Sequence, residues 1–508
     1  MPATFVPRFA AHCAAHPGRA AFVFGDRTYS YGEFGGLVQA IRDRLAAEVP
    51  ADERRIAIHA TQEVWTYAAI VAVLADGRAY VPLNPHAPAD RNRGCLAQAR
   101  IGTILCATRT EAVEALLVGD DAPRRVLETA GTEPAPALAP LPPVDADAIA
   151  YILFTSGSTG LPKGVPIHHR NLDAFLDAFI ARSDLGFGPD DRFLQMFDLT
   201  FDLSVMSYGV PLVVGGACHV VPPGGPGFLG VAKTLTRGQV TVALMVPSVL
   251  SFLERYFDEI RLPALRLSLF CGEALPTRLA RAWWACAPAA RVLNVYGPTE
   301  ATIFCSSYEL GREPSPRDEY NGVVSIGRPM PRTAFRVVDD ALHDVPPGEK
   351  GELILIGDQV GSGYWESPER TAAAFIALPD GTRGYRSGDV AFARDGEYYY
   401  CGRTDHQLKV DGYRVEAGEI EHHARGLPGV RDAAIVGRPD AAGRTVLHLF
   451  LLLGDGAPPA TLAKDVRAQL AQHLPPYMVP AKVHGRATFP LNANGKVDRK
   501  ALGASVGD

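Results

Sequence analysis

The sequence predicts an α/β protein, on three observations. Short apolar runs of strand type alternate with helical segments in the N-terminal part, a β-rich stretch with Gly-rich turns follows, and a compact βαβ-like tail comes last. Residues 30–45 carry apolar positions near helical spacing behind a Thr28-Tyr29-Ser30 entry and read as a helix. Residues 55–59, 79–82 and 102–107 read as short buried strands, separated by helices such as 63–74. Residues 128–147 turn rich in Pro and Ala (Pro134, Pro136, Pro140, Pro142, Pro143) and read as a surface connector between lobes. The continuous apolar run 148–154 after it is a buried strand, and 352–356 and 397–400 are strands of the β-rich segment. The tail spans 415–483, with an amphipathic helix at 462–473. A boundary at 403–405 divides the chain into an N-terminal core, 1–403, and a C-terminal domain, 404–508.

At 508 residues the chain exceeds what one hydrophobic core serves, so two or more domains are expected. Hydrophobic residues at 47% and charged residues at 21% are those of a folded soluble protein. The net charge of −6 is small, and Lys and Arg are scattered, which points away from nucleic acid and from anionic membranes. The eight cysteines lie far apart, with no CxxC pair, so reduced thiols are expected. Met1 to Ala21 lacks a basic segment ahead of an apolar core, and every long apolar run is interrupted. Neither a signal peptide nor a membrane span is expected, and the location expected is cytoplasmic.

The strand Tyr151-Ile152-Leu153-Phe154 runs into Thr155-Ser156-Gly157-Ser158-Thr159-Gly160-Leu161-Pro162-Lys163-Gly164. Four hydroxyls, three glycines and a lysine after a buried strand offer backbone N–H groups, rotatable donors and one cation, which suits an oligophosphate. It is not a Walker loop, because Pro162 stands where the second glycine should precede Lys163 and Gly164 replaces the Ser or Thr. A Gly/Ser/Thr loop by itself is equally well a plain turn.

This wording resembles the phosphate loop of the adenylate-forming superfamily, which comprises acyl-CoA synthetases, luciferases and peptide-synthetase adenylation domains. The resemblance extends along nearly the whole chain, in order. Asn294-Val295-Tyr296-Gly297-Pro298-Thr299-Glu300 is similar to the family's nucleotide and magnesium motif, Tyr385-Arg386-Ser387-Gly388-Asp389 to its ribose motif, Gly402-Arg403-Thr404-Asp405 to its hinge, and Asn494-Gly495-Lys496 to its catalytic lysine. The fold this implies is a large N-terminal domain of two α/β subdomains and a β-barrel-like subdomain, with a small mobile α+β C-terminal domain turning about Asp405. By the same resemblance ATP and Mg²⁺ are the cofactors. Attack of a carboxylate on the α-phosphate brings two anions together, so the site has to neutralise charge at phosphorus and at departing pyrophosphate. Thr155, Ser156, Thr159 and Lys163, with Gly157, Ser158 and Gly160, would hold the phosphates. Glu300 would hold the metal with Thr299 nearby, and Gly272-Glu273-Ala274, Asn294, Tyr296 and Gly297 would frame adenine. Asp389, with Arg403, would take the ribose, and Lys496 would bridge the substrate carboxylate and the α-phosphate. Without the motif, Glu300 and Lys496 read as solvated surface residues and Tyr296 as a packed aromatic.

Phe201-Asp202-Leu203-Ser204-Val205-Met206 resembles the motif in which amino-acid-activating members set an aspartate against the substrate ammonium. An acid in so apolar a stretch needs a partner; without the motif, Asp202 reads as a helix cap or turn residue. The chain also resembles the stand-alone D-alanine:carrier-protein ligases, in residues 201–206, 269–276, 296–302, 412–414 and 419–423 and in the end of the chain. Pocket positions implied by the resemblance are Asp202, Leu203, Met206, Ser248, Leu269, Cys271, Val295, Ile303 and Phe304. Most are apolar, and Phe304 departs from the small residue those ligases would carry. A small neutral amino acid is the expected substrate. No Ser-containing carrier motif follows Lys500, so the carrier protein, with its phosphopantetheine thiol, is expected as a separate partner. Two other readings stand beside this one: an acyl- or aryl-CoA synthetase of the same superfamily, and a non-catalytic binding module on the same fold. Lys163, Glu300, Asp389 and Lys496 speak against the second, and Asp202 speaks against the first.

Overall fold

A computed structural model describes residues 4–118, 123–156, 162–224, 228–404, 407–440, 443–453, 461–490 and 497–506. The chain divides into two compact units, one of residues 1–85, 96–153 and 164–404, the other of residues 86–95, 154–163 and 405–508.

Two sheets and one smaller antiparallel sheet build the first unit. In the six-stranded sheet the order is Arg125–Glu128, Thr103–Cys106, Arg55–His59, Ala79–Leu83, Ile149–Thr155 and Lys163–His168, parallel from Arg125–Glu128 through Ile149–Thr155. The nine-stranded sheet is parallel from Arg291–Tyr296 through Leu267–Phe270, Val242–Met245, Arg192–Gln195 and Ala217–Val220 to Ala20–Phe24. Its antiparallel edges are Ser306–Leu310 with Arg328–Pro329 on one side and Arg27–Ser30 on the other. Parallel strands need both faces covered, which is why they read as continuous apolar runs rather than alternating ones; Thr103–Cys106, Ala217–Val220, Val242–Met245 and Leu267–Phe270 are buried at every residue. The third sheet is antiparallel, with Thr333–Val338, Gly351–Gly357, Arg383–Arg394 and Phe375–Ala377 in order and Glu397–Arg403 paired to the long strand.

The helix expected from residue 30 runs Tyr31–Glu48 and starts where the sequence signals it. Ser30 Oγ accepts from the Glu33 N–H at 3.2 Å while the Glu33 carboxylate accepts from the Ser30 N–H at 2.8 Å, a reciprocal cap. The Pro-rich stretch 128–147 is not a connector between lobes. It leaves Arg125–Glu128 and returns to Ile149–Thr155, both strands of the same six-stranded sheet. On the way it lies against the Tyr31–Glu48 helix, where the Ala135 N–H donates to the Gly36 carbonyl at 3.0 Å. A Cβ on Gly36 would come 2.3 Å from the Ala135 carbonyl oxygen, so only glycine admits that approach.

The second unit has its own core. Val430–Pro439 and Thr445–Leu453 pair antiparallel, Lys482–Arg486 adds in parallel, and Ala417–Arg425, Leu462–Leu470 and Arg499–Ala504 are helices. Ile420, Ile435, Leu449, Leu451, Leu470 and Met478 form its buried centre. A hairpin, Gln407–Val410 with Tyr413–Glu416, precedes these elements. All eight cysteines are free thiols, seven of them buried. No helix among the described residues is long and apolar enough to cross a membrane.

Candidate active site

In the first unit, Asp202 stands at the start of the Leu203–Val214 helix yet makes no capping hydrogen bond with its side chain. It is 4% exposed. Asp202 thus lies in the turn that leads into the helix, and its carboxylate does not serve as the cap. Leu203, Met206, Ser248, Leu269, Cys271, Val295, Ile303 and Phe304 are all buried as well. Leu203 and Met206 come from the Leu203–Val214 helix and Ser248 from the Pro247–Leu253 helix, while Leu269, Cys271 and Val295 lie at the ends of two neighbouring parallel strands, with Ile303 and Phe304 in the turn that follows the second. Ser248 opens the Pro247–Leu253 helix, and its N–H donates to Glu273 Oε2 at 2.9 Å. The Ser248 hydroxyl is buried and has no hydrogen-bond partner among the described residues.

The turn after Arg291–Tyr296 is strained. Thr302 and Ile303 have φ of +56° and +73°, which β-branched residues avoid. Gln359 holds them there: its Nε2 donates to the Phe304 carbonyl at 2.8 Å, and its own carbonyl accepts from Thr302 Oγ1 at 2.6 Å. A Cβ on Gly297 would come 2.4 Å from the Phe304 Cα, so the two arms of the turn touch backbone to backbone. The Phe304 ring lies edge-on to Phe175 and Phe179 of the His169–Ile180 helix, at 4.9 and 5.1 Å between centroids.

Glu300 is fully buried, so it is no solvated loop residue. Tyr364 donates its hydroxyl to Glu300 Oε1 at 2.8 Å, and the Gly361 N–H donates to the Glu300 carbonyl at 2.8 Å. Thr299 is buried beside it. One buried carboxylate fits Mg²⁺, which is commonly held by one or two carboxylates together with substrate phosphates; among the described residues no group of three His, Cys, Asp or Glu is placed to hold a metal.

Tyr296, from the Arg291–Tyr296 strand, donates its hydroxyl to Asp389 Oδ2 at 2.5 Å, and Arg403 donates to Asp389 Oδ1 at 2.5 Å and to the Ser387 carbonyl at 3.1 Å. Burial and then the Asp389 charge push the Tyr296 pKa well up, so the phenol stays a donor. Asn294 is buried, and its amide N–H groups donate to the Val324 and Ser325 carbonyls at 3.1 and 2.9 Å. Gly272 has φ +90°, and Gly272 and Glu273 are half-buried with Ala274 exposed.

In the second unit, Ser156 Oγ donates to the Arg414 carbonyl at 2.8 Å and accepts from the Glu416 N–H at 3.2 Å. Lys163 Nζ lies 3.9 Å from the Glu416 carboxylate. Thr155 Oγ1 is buried and has no hydrogen-bond partner among the described residues, an orphaned donor of the kind a phosphate satisfies. Gly157, Ser158, Thr159, Gly160, Asp405 and Lys496 lie outside the described residues.

Sequence reasoning missed Gln359 and Tyr364. The Gly361-Ser362-Gly363 turn ahead of Tyr364 and Trp365 was the available signal, a tight backbone carrying two aromatics.

The AMP-binding enzyme family matches residues 9–365, and the AMP-binding enzyme C-terminal domain matches residues 419–496. The chain is 35% identical over 503 residues to the probable nonribosomal peptide synthetase CymA of Salinispora arenicola, covering 97% of this chain and 6% of that protein. It is 32% identical over 506 residues to a D-alanine–D-alanyl carrier protein ligase of Bacillus cereus, covering 97% of each. Among solved structures, the Vibrio cholerae adenylation domain AlmE in complex with glycyl-adenosine-5'-phosphate superposes with a TM-score of 0.84 at 27% identity, over 99% of this chain and 97% of that one.

Proposed function

Because the chain belongs to the AMP-binding enzyme family, we propose that it activates a small neutral amino acid with ATP and passes it to the phosphopantetheine thiol of a separate carrier protein. In the first step a substrate carboxylate oxygen bonds to the α-phosphorus of ATP, the bond to the β-phosphate oxygen breaks, and pyrophosphate leaves with its electron pair. In the second, the thiol sulfur attacks the carbonyl of the aminoacyl-adenylate, and AMP leaves. The carrier protein ligase relative and the glycyl-adenylate held by AlmE support this reading over coenzyme A ligation. The observation that carries it is Asp202, a buried carboxylate that does not cap its own helix. Its natural counter-ion is an ammonium, which fatty and aryl acids lack.

The roles of the remaining residues follow the charges. Thr155, Ser156 and Lys163, with the segment 157–160, hold the β- and γ-phosphates. Tyr296 stacks on adenine while Asp389 accepts from the ribose hydroxyls. Glu300 holds Mg²⁺, which neutralises charge on the departing pyrophosphate when bound. Lys496 steadies the attacking carboxylate and the α-phosphate, and Asp405 is the hinge between a core ending near 403 and a C-terminal domain from 404. The ATP consumed argues for the cytoplasm. Exchange of labelled pyrophosphate into ATP across a panel of D- and L-amino acids, with benzoate and short fatty acids as controls, tests the proposal. Exchange with a small amino acid alone supports it, and exchange with an aryl or fatty acid in its place overturns it.

A further inference from the structure

Residues 359–365 of the first unit grip the turn that carries Glu300 at several points. Gln359 braces Thr302 and Phe304, the Gly361 N–H donates to the Glu300 carbonyl at 2.8 Å, and the Tyr364 hydroxyl donates to Glu300 Oε1 at 2.8 Å. Both Glu300 and Tyr364 are buried. Tyr364 is anchored along its backbone and at its ring. Its N–H donates to Thr371 Oγ1 at 2.9 Å, and Thr371, in the Pro368–Ala374 helix, donates in turn to the Ser367 carbonyl at 2.8 Å. A Cβ on Gly363 would lie 2.5 Å from Thr371 Cγ2, so that approach needs glycine. The next residue, Trp365, donates its backbone N–H to the Gly164 carbonyl at 2.8 Å and its indole N–H to the Gln98 carbonyl at 2.9 Å. The Tyr364 ring stands edge-on to Phe375 at 5.5 Å between centroids, and Phe375 packs on Tyr385 at 5.0 Å.

Packing against Phe375 asks only for a ring, which phenylalanine would supply equally well. The hydroxyl acts at Glu300. A carboxylate turns about the bond that carries it, and a donor on one oxygen, borne by a ring that is itself held, sets its plane. A phenol does this without a positive charge, so the carboxylate keeps its own charge for a cation; a lysine or arginine in that place would cancel it. An ionised carboxylate has about four lone-pair sites, so one hydrogen bond does not exhaust it as a ligand. Mg²⁺ demands near-octahedral geometry at about 2.0–2.1 Å, which makes it sensitive to the orientation of each oxygen ligand.

We propose that Tyr364 is a positioning residue for the metal, its hydroxyl holding the Glu300 carboxylate in the orientation that receives the Mg²⁺ of bound MgATP. The proposal rests on Glu300 being the metal ligand. Its effect belongs to metal binding and leaves amino-acid recognition alone.

The test is Tyr364→Phe, which keeps the ring against Phe375. Mn²⁺ is the probe, titrated by its EPR signal in the presence of α,β-methylene-ATP, which cannot release pyrophosphate, so binding is read apart from turnover. Mn²⁺ affinity should fall by about 10–100-fold, the usual worth of a partner behind a metal ligand, while amino-acid KM stays within about twofold. In pyrophosphate exchange the variant should need correspondingly more Mg²⁺ and approach the parent rate once Mg²⁺ saturates. Tyr364→p-aminophenylalanine, which restores a neutral donor on the same ring, should recover Mn²⁺ affinity. In the Glu300→Gln background Tyr364→Phe should add no further loss, since it acts through a charge already removed. Unchanged Mn²⁺ affinity in Tyr364→Phe, or losses that simply add in the double variant, overturns the proposal. So does a rate lowered by the same factor at every Mg²⁺ concentration, which is the mark of a packing role. If Glu300→Gln binds Mn²⁺ as the parent does, the metal assignment fails and takes this one with it; if Glu300→Gln is impaired and Tyr364→Phe is not, only the role of Tyr364 falls.

Discussion

The Tyr296 phenol and the Arg403 guanidinium each hold one oxygen of Asp389, at 2.5 Å on either side. The carboxylate is thereby fixed in plane, with a second lone pair on each oxygen still able to accept a hydrogen bond. Asp389→Asn should raise ATP KM by about 10–100-fold, the worth of hydrogen bonds to a charged acceptor, with a much smaller effect on amino-acid KM. Steady-state exchange kinetics with each substrate varied in turn would show it. A rise confined to amino-acid KM contradicts the ribose assignment.

Asp202→Ala leaves an ammonium facing an apolar wall. Breaking one side of a buried ion pair costs roughly 3–5 kcal/mol, so adenylation of the preferred amino acid should fall by on the order of 10²–10³. Near-normal exchange in this variant would remove the basis for an amino-acid substrate.

Phe304 is pinned at its backbone by Gln359 and at its ring by Phe175 and Phe179. With Met206 and Val295 it should limit the substrate to alanine or serine scale. Phe304→Ala should widen the range toward larger side chains, each methylene being worth about 1–3 kcal/mol of discrimination, and should lower the melting temperature as a core cavity opens. Wild-type preference for tryptophan, lysine or glutamate in the exchange panel would refute the size argument.

His169 is fully buried, with no hydrogen-bond partner on either ring nitrogen among the described residues, and burial and His168 bring its pKa down to about 4. His219 is held at about 4 by burial and Arg192. The folded state thus refuses protons that the unfolded chain accepts below its ordinary pKa near 6.5. Their contribution is fully present above pH 6.5 and is lost as pH falls toward 4, on the order of 1 kcal/mol per pH unit for each histidine. His423 and His484 are brought down to about 4 as well, chiefly by burial, so urea unfolding at pH 7, 6 and 5 should show a joint slope of which His169→Leu removes about one quarter. Equal slopes in the variant and the parent exclude His169 as the source.

Lys496→Ala removes a cation from the transition state of the first half-reaction. Adenylate formation should fall by at least about 10²–10³, the effect of one preorganised donor, while a chemically supplied aminoacyl-adenylate is still transferred to the thiol. Asp405→Pro, which stiffens the hinge, should slow transfer more than adenylation. Parallel loss of both half-reactions in folded Lys496→Ala runs against a lysine that serves one step.

The sequence by itself determined what is local. Buried strands announced themselves as continuous apolar runs, the Thr28-Tyr29-Ser30 entry marked a helix start to within a residue, and the phosphate, nucleotide and ribose segments could be put in order because each is a short stretch whose chemistry lies in adjacent residues. Only the tertiary structure decided which distant groups complete them. The 128–147 stretch returns to the sheet it left, which composition could not reveal, since Pro-rich chain looks alike whether it joins two lobes or two strands. Tyr364 reaches Glu300 from 64 positions away, Gln359 braces Thr302 from 57, and Tyr80 meets Tyr208 across 128. A side-chain hydrogen bond needs two atoms within about 3 Å whatever their separation along the chain, so a lone Tyr or Gln between apolar residues carries no mark of its partner until packing brings the two together.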